Sequence, residues 1–184
     1  ELMFFTNKQQ VYKTSAEEFS ETKASALGDY IPAKLDFDEG EVPVYMTVVD
    51  KYVGNMLFVY ENGRISKVAL SSYETKTNRK KLIKAYCDKF PLFCAIYMPE
   101  EKDLVLRSSN GRVLIVSSAA VPVKGVKDNG GIAVMTQKRG QKIEEVKIYE
   151  KGMLENEHRL RTRTLPAAGN KPVGGGKQDG IDLD

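Results

Sequence analysis

The sequence predicts an all-β chain, a propeller-like array of three four-stranded blades. Three observations predict it. First, one segment recurs. Leu2 to Tyr12, Met56 to Ser66 and Leu104 to Leu114 align, with Val11, Ile65 and Val113 at matching positions 54 and 48 residues apart. Such a period marks a repeated supersecondary unit. Second, each copy is an apolar run, a turn and a returning apolar run. Twice the turn is Asn-Gly, at Asn62-Gly63 and Asn110-Gly111. Asn-Gly supplies the positive-φ pair of a tight type I′ hairpin. Third, two more short apolar runs follow each hairpin, so each unit holds the strands of one blade. No helical periodicity extends beyond a turn or two.

The elements follow in order. Copy one (1–53) has its hairpin around Lys8-Gln9-Gln10, a short helix over Ser15 to Lys23, and strands at Tyr30 to Leu35 and Val44 to Val49. Copy two (54–102) continues with strands at Leu82 to Tyr86 and Leu92 to Tyr97. Copy three (103–150) continues with Gly131 to Met135 and Ile143 to Tyr149. Residues 151–184 form an extension. In it His158 to Thr164 alternates at a period of two, as a strand does, and Pro166 to Gly180 is rich in Gly and Pro and is expected to be flexible. Three blades cannot close a ring. Their open edges must be covered by the tail, by upstream blades or by association. Glu1 opens inside a strand-like run, which is the expectation for a piece of a longer protein.

Composition narrows the function classes. Apolar stretches are strand-length, too short to cross a bilayer as helices, and no signal-peptide pattern opens the chain. Cys87 and Cys94 match no metal or redox spacing and read as free thiols in a reducing compartment. His158 is the single histidine, so neither a His-rich metal site nor a triad is expected. No carboxylate pair is spaced for acid–base catalysis.

Phe4-Phe5-Thr6-Asn7-Lys8, Val11-Tyr12-Lys13 and Leu35-Asp36-Phe37-Asp38-Glu39-Gly40-Glu41 together resemble a repeat of the C-terminal domain of bacterial type IIA topoisomerase A subunits, those of DNA gyrase and topoisomerase IV. Phe58 to Leu70, and Leu106 to Val121 with Pro122-Val123-Lys124-Gly125, resemble successive blades of that domain. The resemblance spans roughly residues 1–150. It implies a β-pinwheel, in which neighbouring blades exchange a strand. It implies a module that binds and bends double-stranded DNA on a basic outer edge and presents it for strand passage. The implied partners are the N-terminal breakage-reunion region of the same subunit and a B-type ATPase subunit, in a bacterial cytoplasm at the nucleoid. The catalytic tyrosine, and the ATP and magnesium of the holoenzyme, belong to those other parts. No catalytic residue, metal or cofactor is implied here. The gyrase Gln-Arg-Arg-Gly-Gly-Lys-Gly box does not occur in the chain, so gyrase and topoisomerase IV stay open alternatives.

The net charge of +3 is unevenly spread. Copy one carries net −5, copy two +4, copy three +3 and the extension +1. Duplex DNA draws on clustered Lys and Arg through counterion release. The DNA-binding candidates are therefore Lys76, Arg79, Lys80, Lys81 and Lys84 in copy two, and Lys124 and Lys127 in copy three. Arg159, Arg161 and Arg163 lie on one side of the tail segment, as a charged edge strand or as phosphate contacts. Arg64 and Arg112, each following an Asn-Gly turn, read as structural. The acidic residues of copy one, Asp36, Asp38, Glu39 and Glu41 among them, repel DNA and face a neighbouring part or are ordinary surface. The alternative to a DNA-bending module is a protein-interaction propeller with little DNA affinity.

Overall fold

The computed structural model describes residues 1–15, 17, 27–77 and 79–172. Its strands are β1 (Leu2–Thr6), β2 (Val11–Thr14), β3 (Pro43–Val48), β4 (Asn55–Tyr60), β5 (Arg64–Ala69), β6 (Lys81–Leu82), β7 (Leu92–Met98), β8 (Asp103–Ser108), β9 (Val113–Ser117), β10 (Ile132–Ala133) and β11 (Ile143–Ile148). Among the described residues the α-helices are α1 (Leu27–Lys34) and α2 (Glu157–Leu160), and short 3-10 turns lie at Leu70–Tyr73 and Ser118–Ala120. Three antiparallel sheets form, ordered β3-β1-β2-β6, β10-β5-β4-β7 and β11-β8-β9. All-β blades are thus present, as the repeat predicts.

Each hairpin borrows its fourth strand from the next copy. Leu82 pairs with Val11, and Ile132 with Ile65. In the third blade Asn170 of the tail bridges Val113, with backbone bonds in both directions (2.8 and 3.0 Å). Val11, Ile65 and Val113 are the three positions that the sequence alignment matches. The tail therefore fills the slot that the next blade fills elsewhere. Within Pro166 to Pro172 the backbone of Ala167 and Asn170 is paired with residues of copy three, where the composition suggests a free linker; residues 173–184 lie outside the described residues.

The edge strands β3, β7 and β11 sit beside one another in turn. The sheets fan out from that side, and the borrowed segments form the opposite, outer edge. Strands of the middle blade are buried on both faces, which is why they read as continuous apolar runs. Met56, Phe58 and Tyr60 pack with Met3 and Phe5 of blade one, whereas Leu57 and Val59 pack with Leu104 and Leu106 of blade three. Phe5 meets Phe58 and Tyr73 edge-on, at 5.7 and 5.3 Å between ring centroids. The far face of blade three is capped by Leu160 and Leu154 of the extension.

Four expectations need correction. The hairpin turns are not type I′. Gly63 and Gly111 have positive φ (86° and 85°), but Asn62 and Asn110 do not. Gly63 N–H donates to Tyr60 O at 2.9 Å, a type I turn closed by a left-handed glycine. The Asn oxygens accept from Arg64 and Arg112 N–H at 3.1 and 2.9 Å. Second, residues 27–34 are helix rather than strand, because Lys81 and Leu82 hold the slot beside β2. Ile31 and Leu35, four apart, share the face that packs on Phe4 and Tyr12. Third, the strand predicted over His158 to Thr164 is a helical turn through Leu160, with an isolated parallel bridge at Arg161. Burial of Leu160 against Val113 and Ile115 overrides the alternation. Fourth, the ordered tail segment described above replaces an expected loose one. The helix expected over Ser15 to Lys23 falls outside the described residues except at Ser15 and Glu17.

Candidate nucleic-acid interface

The best cationic cluster lies on the outer edge of blade one. Lys13 N–H donates to Lys80 O (2.7 Å), Lys81 pairs with Tyr12, and Ala85 N–H donates to Gln9 O (2.8 Å). Leu82 and Ala85 are buried anchors, while Arg79, Lys80 and Lys84 between and before them are exposed. Arg79 and Lys80 precede the two-residue strand β6 and Lys84 follows it in a left-handed conformation (φ 52°), so the exposed cations flank the anchored strand. Lys76 is exposed in the loop leading in. Lys81 departs from the group: it is half-buried, its ammonium 3.5 Å from Asp38 and 5.5 Å from the Tyr12 ring. Arg79 and Lys80 border a cleft of about 510 Å³ that also takes in Lys13, Thr75 and Thr77.

Lys124 and Lys127 lie correspondingly on blade two. Val123 bridges Lys67 in parallel, and Lys124 N–H reaches Lys67 O at 3.3 Å, so this loop also follows β5 on its outer side. Lys124 is exposed and Lys127 half-buried. The tail arginines separate. Arg161 pairs with Asp103 (2.8 Å) and Glu157 (3.0 Å) and covers the Tyr149 ring, so it fastens the extension to blade three. Arg159 and Arg163 are exposed. Arg64 donates to Gly130 O (2.9 Å) and Gly131 O (2.6 Å), and Arg112 to Gly169 O (2.9 Å). Both therefore clamp an incoming segment, in keeping with their structural reading.

Several residues escape the sequence reading. Lys13 and Lys67, at matching positions, are 4% and 2% exposed. Lys13 donates to Tyr73 O and Thr75 Oγ1, and Lys67 to Ser118 O and Glu101. Each ties its blade to the next. Their recurrence two residues after the aligned Val and Ile was the available signal. Glu41 is buried, and one carboxylate collects Tyr12 OH (2.7 Å), Gln10 Nε2 (2.7 Å), the Asp38 N–H (2.8 Å) and Thr6 Oγ1. Burial alone raises its pKa. The bonds from Thr6, Tyr12, Asp38 and Gln10 outweigh that and hold it below the ordinary glutamate value. Part of copy one's acidity is therefore internal. The basic turn Lys138-Arg139-Gly140-Gln141-Lys142 was legible as a charge run but not as a neighbour of Arg112 and Lys171.

No protein-family model matches the chain, and no curated protein sequence matches it. Solved structures do. The fold is a β-pinwheel. The chain is similar to the C-terminal domain of DNA topoisomerase IV (TM-score 0.65, 22% identity, 81% of this chain and 47% of that one). It is similar to the DNA gyrase A C-terminal domain (TM-score 0.64, 16% identity, 91% and 58%). It is also similar to the E. coli ParC C-terminal domain (TM-score 0.63, 10% identity, 92% and 69%). The chain thus spans about half the length of the first two structures. Among the described residues no helix is long and apolar enough to cross a membrane.

Proposed function

We propose that this pinwheel binds and bends duplex DNA along its outer edge, as a module of a bacterial type II topoisomerase A subunit. One observation carries the reading: Arg79, Lys80 and Lys84 are exposed on either side of the borrowed strand β6 on the edge of blade one, with Lys76 leading in and Lys124 exposed on the next blade. Exposed cations on an outer edge address phosphates, which position a duplex without reading its sequence. Any sequence preference arises from how easily the DNA bends. No chemical step is assigned to this chain. Strand cleavage belongs to an N-terminal breakage-reunion region and ATP hydrolysis, with magnesium, to a B-type subunit. The setting that follows is the bacterial cytoplasm, at the nucleoid.

Duplex affinity measured over a salt series tests this. Affinity should fall steeply with salt, and R79Q/K80Q/K84Q should weaken binding and flatten the slope. Binding that ignores salt, or the triple variant, counts against the reading. A protein-docking role is favoured by a different feature. Val44, Met46 and Val48 of the edge strand β3 are 44%, 50% and 64% exposed. Absence of duplex binding at low salt would leave that reading standing.

A further inference from the structure

The same hollow occurs at the turn end of blades one and three, of mixed charge in the first and purely cationic in the third. The main chain establishes the match. Asn7 N–H donates to Val42 O as Ser109 N–H does to Lys142 O. Asp38 N–H donates to the Glu41 carboxylate as Lys138 N–H does to Gln141 Oε1 (2.8 and 3.0 Å). Leu82 and Asn170 occupy the same place beside Val11 and Val113. In blade one the hollow, about 490 Å³, is lined by Gln10, Asp38 and Ile83, with Asp88 and Asp128 facing the cations Lys8 and Lys84. In blade three those first three positions are Arg112, Lys138 and Lys171, and the hollow of about 350 Å³ has no carboxylate in its lining.

We infer that the blade-three hollow is a phosphate-binding site. Three cations converge there, and among the described residues none of them makes an ion pair within 4 Å. Arg112 is fixed from behind, one guanidinium nitrogen spent on Gly169 O, which leaves further donors of its rigid fork for an oxyanion. The Gln141 oxygen is taken by its own turn, so its amide N–H₂ is the end left for a ligand. Asn110 and Thr136 supply uncharged donors beside them. Where blade one balances its cations with its own carboxylates, blade three has cations alone, and a tetrahedral phosphate oxyanion fits that donor set. The phosphate is a free ion or a diester of a nucleic-acid backbone; the chemistry is shared. The site lies apart from Arg79, Lys80 and Lys84, so it goes beyond the proposed DNA contact.

The test is titration of the full chain with inorganic phosphate at constant ionic strength held with chloride, read by backbone amide shifts. Saturable shifts are expected at Arg112, Lys138 and Gln141. K138Q/K171Q, both side chains exposed and so harmless to folding, should weaken binding at least about tenfold. R79Q/K80Q should leave it unchanged. A short duplex that displaces phosphate from these amides identifies the ligand as backbone diester. Co-occupancy identifies it as free phosphate. Non-saturating shifts, shifts that chloride reproduces, or a K138Q/K171Q variant that binds like the parent overturn the inference.

Discussion

Gly63 and Gly111 close the same turn, yet their surroundings differ. A Cβ on Gly63 would sit 1.9 Å from Met135 O, whereas one on Gly111 meets nothing within 4 Å. Gly63→Ala should therefore cost at least about 3 kcal/mol, a backbone clash added to the left-handed penalty, and Gly111→Ala about 1–2 kcal/mol. Urea unfolding of the two variants compares them directly; equal losses would deny the close approach of the borrowed segment. Glu41 makes a second prediction at this scale. Its folded pKa lies below its unfolded one, so its contribution is present above the ordinary glutamate range and is lost as pH falls through the folded value. Thermal stability should decline below about pH 4.5, and Glu41→Gln should be less stable at neutral pH by about 1–3 kcal/mol with a shallower acid decline. An unchanged acid profile in the variant would assign the decline to other carboxylates.

At the scale of elements, what was legible was whatever repeats. The hairpins β1–β2, β4–β5 and β8–β9 fall where Val11, Ile65 and Val113 align, because apolar period and turn chemistry are local properties. Three things were not local. The helix at Leu27–Lys34 exists because β6 already occupies the edge of β2. The helical turn at Glu157–Leu160 exists because Leu160 is buried against blade three. The pairing of Asn170 with Val113 joins residues 57 apart in a Gly- and Pro-rich stretch that carries no strand pattern. That last contact is testable. A chain ending at Leu165 loses the segment that covers β9, and an uncovered edge invites pairing with another chain. Lower thermal stability and concentration-dependent association are expected, by calorimetry and by sedimentation. A truncated chain that stays monomeric with unchanged stability would show that the tail does not serve as the third blade's fourth strand.

For the whole molecule, the scaffold repeats while the charge does not. Charge sums located the basic copies, and the borrowed strand explains why copy two's cations end up on blade one. Arg79, Lys80 and Lys84 belong to copy two, yet the strand they flank completes the sheet of the acidic copy. Blade one is thus acidic inside, at Glu41, and basic on its outer strand. Arg161 looked like a companion of Arg159 and Arg163, but it pairs with Glu157, four residues before it on a helical turn that the strand-like alternation hid, and with Asp103, which no spacing in the sequence marks. Hydrogen exchange of the chain with and without duplex DNA at low salt tests the outer-edge account most directly. The account predicts added protection over residues 79–85 and the loop at 123–127, with β3, β7 and β11 unchanged. Protection confined to β3, β7 and β11, or none anywhere, would contradict it.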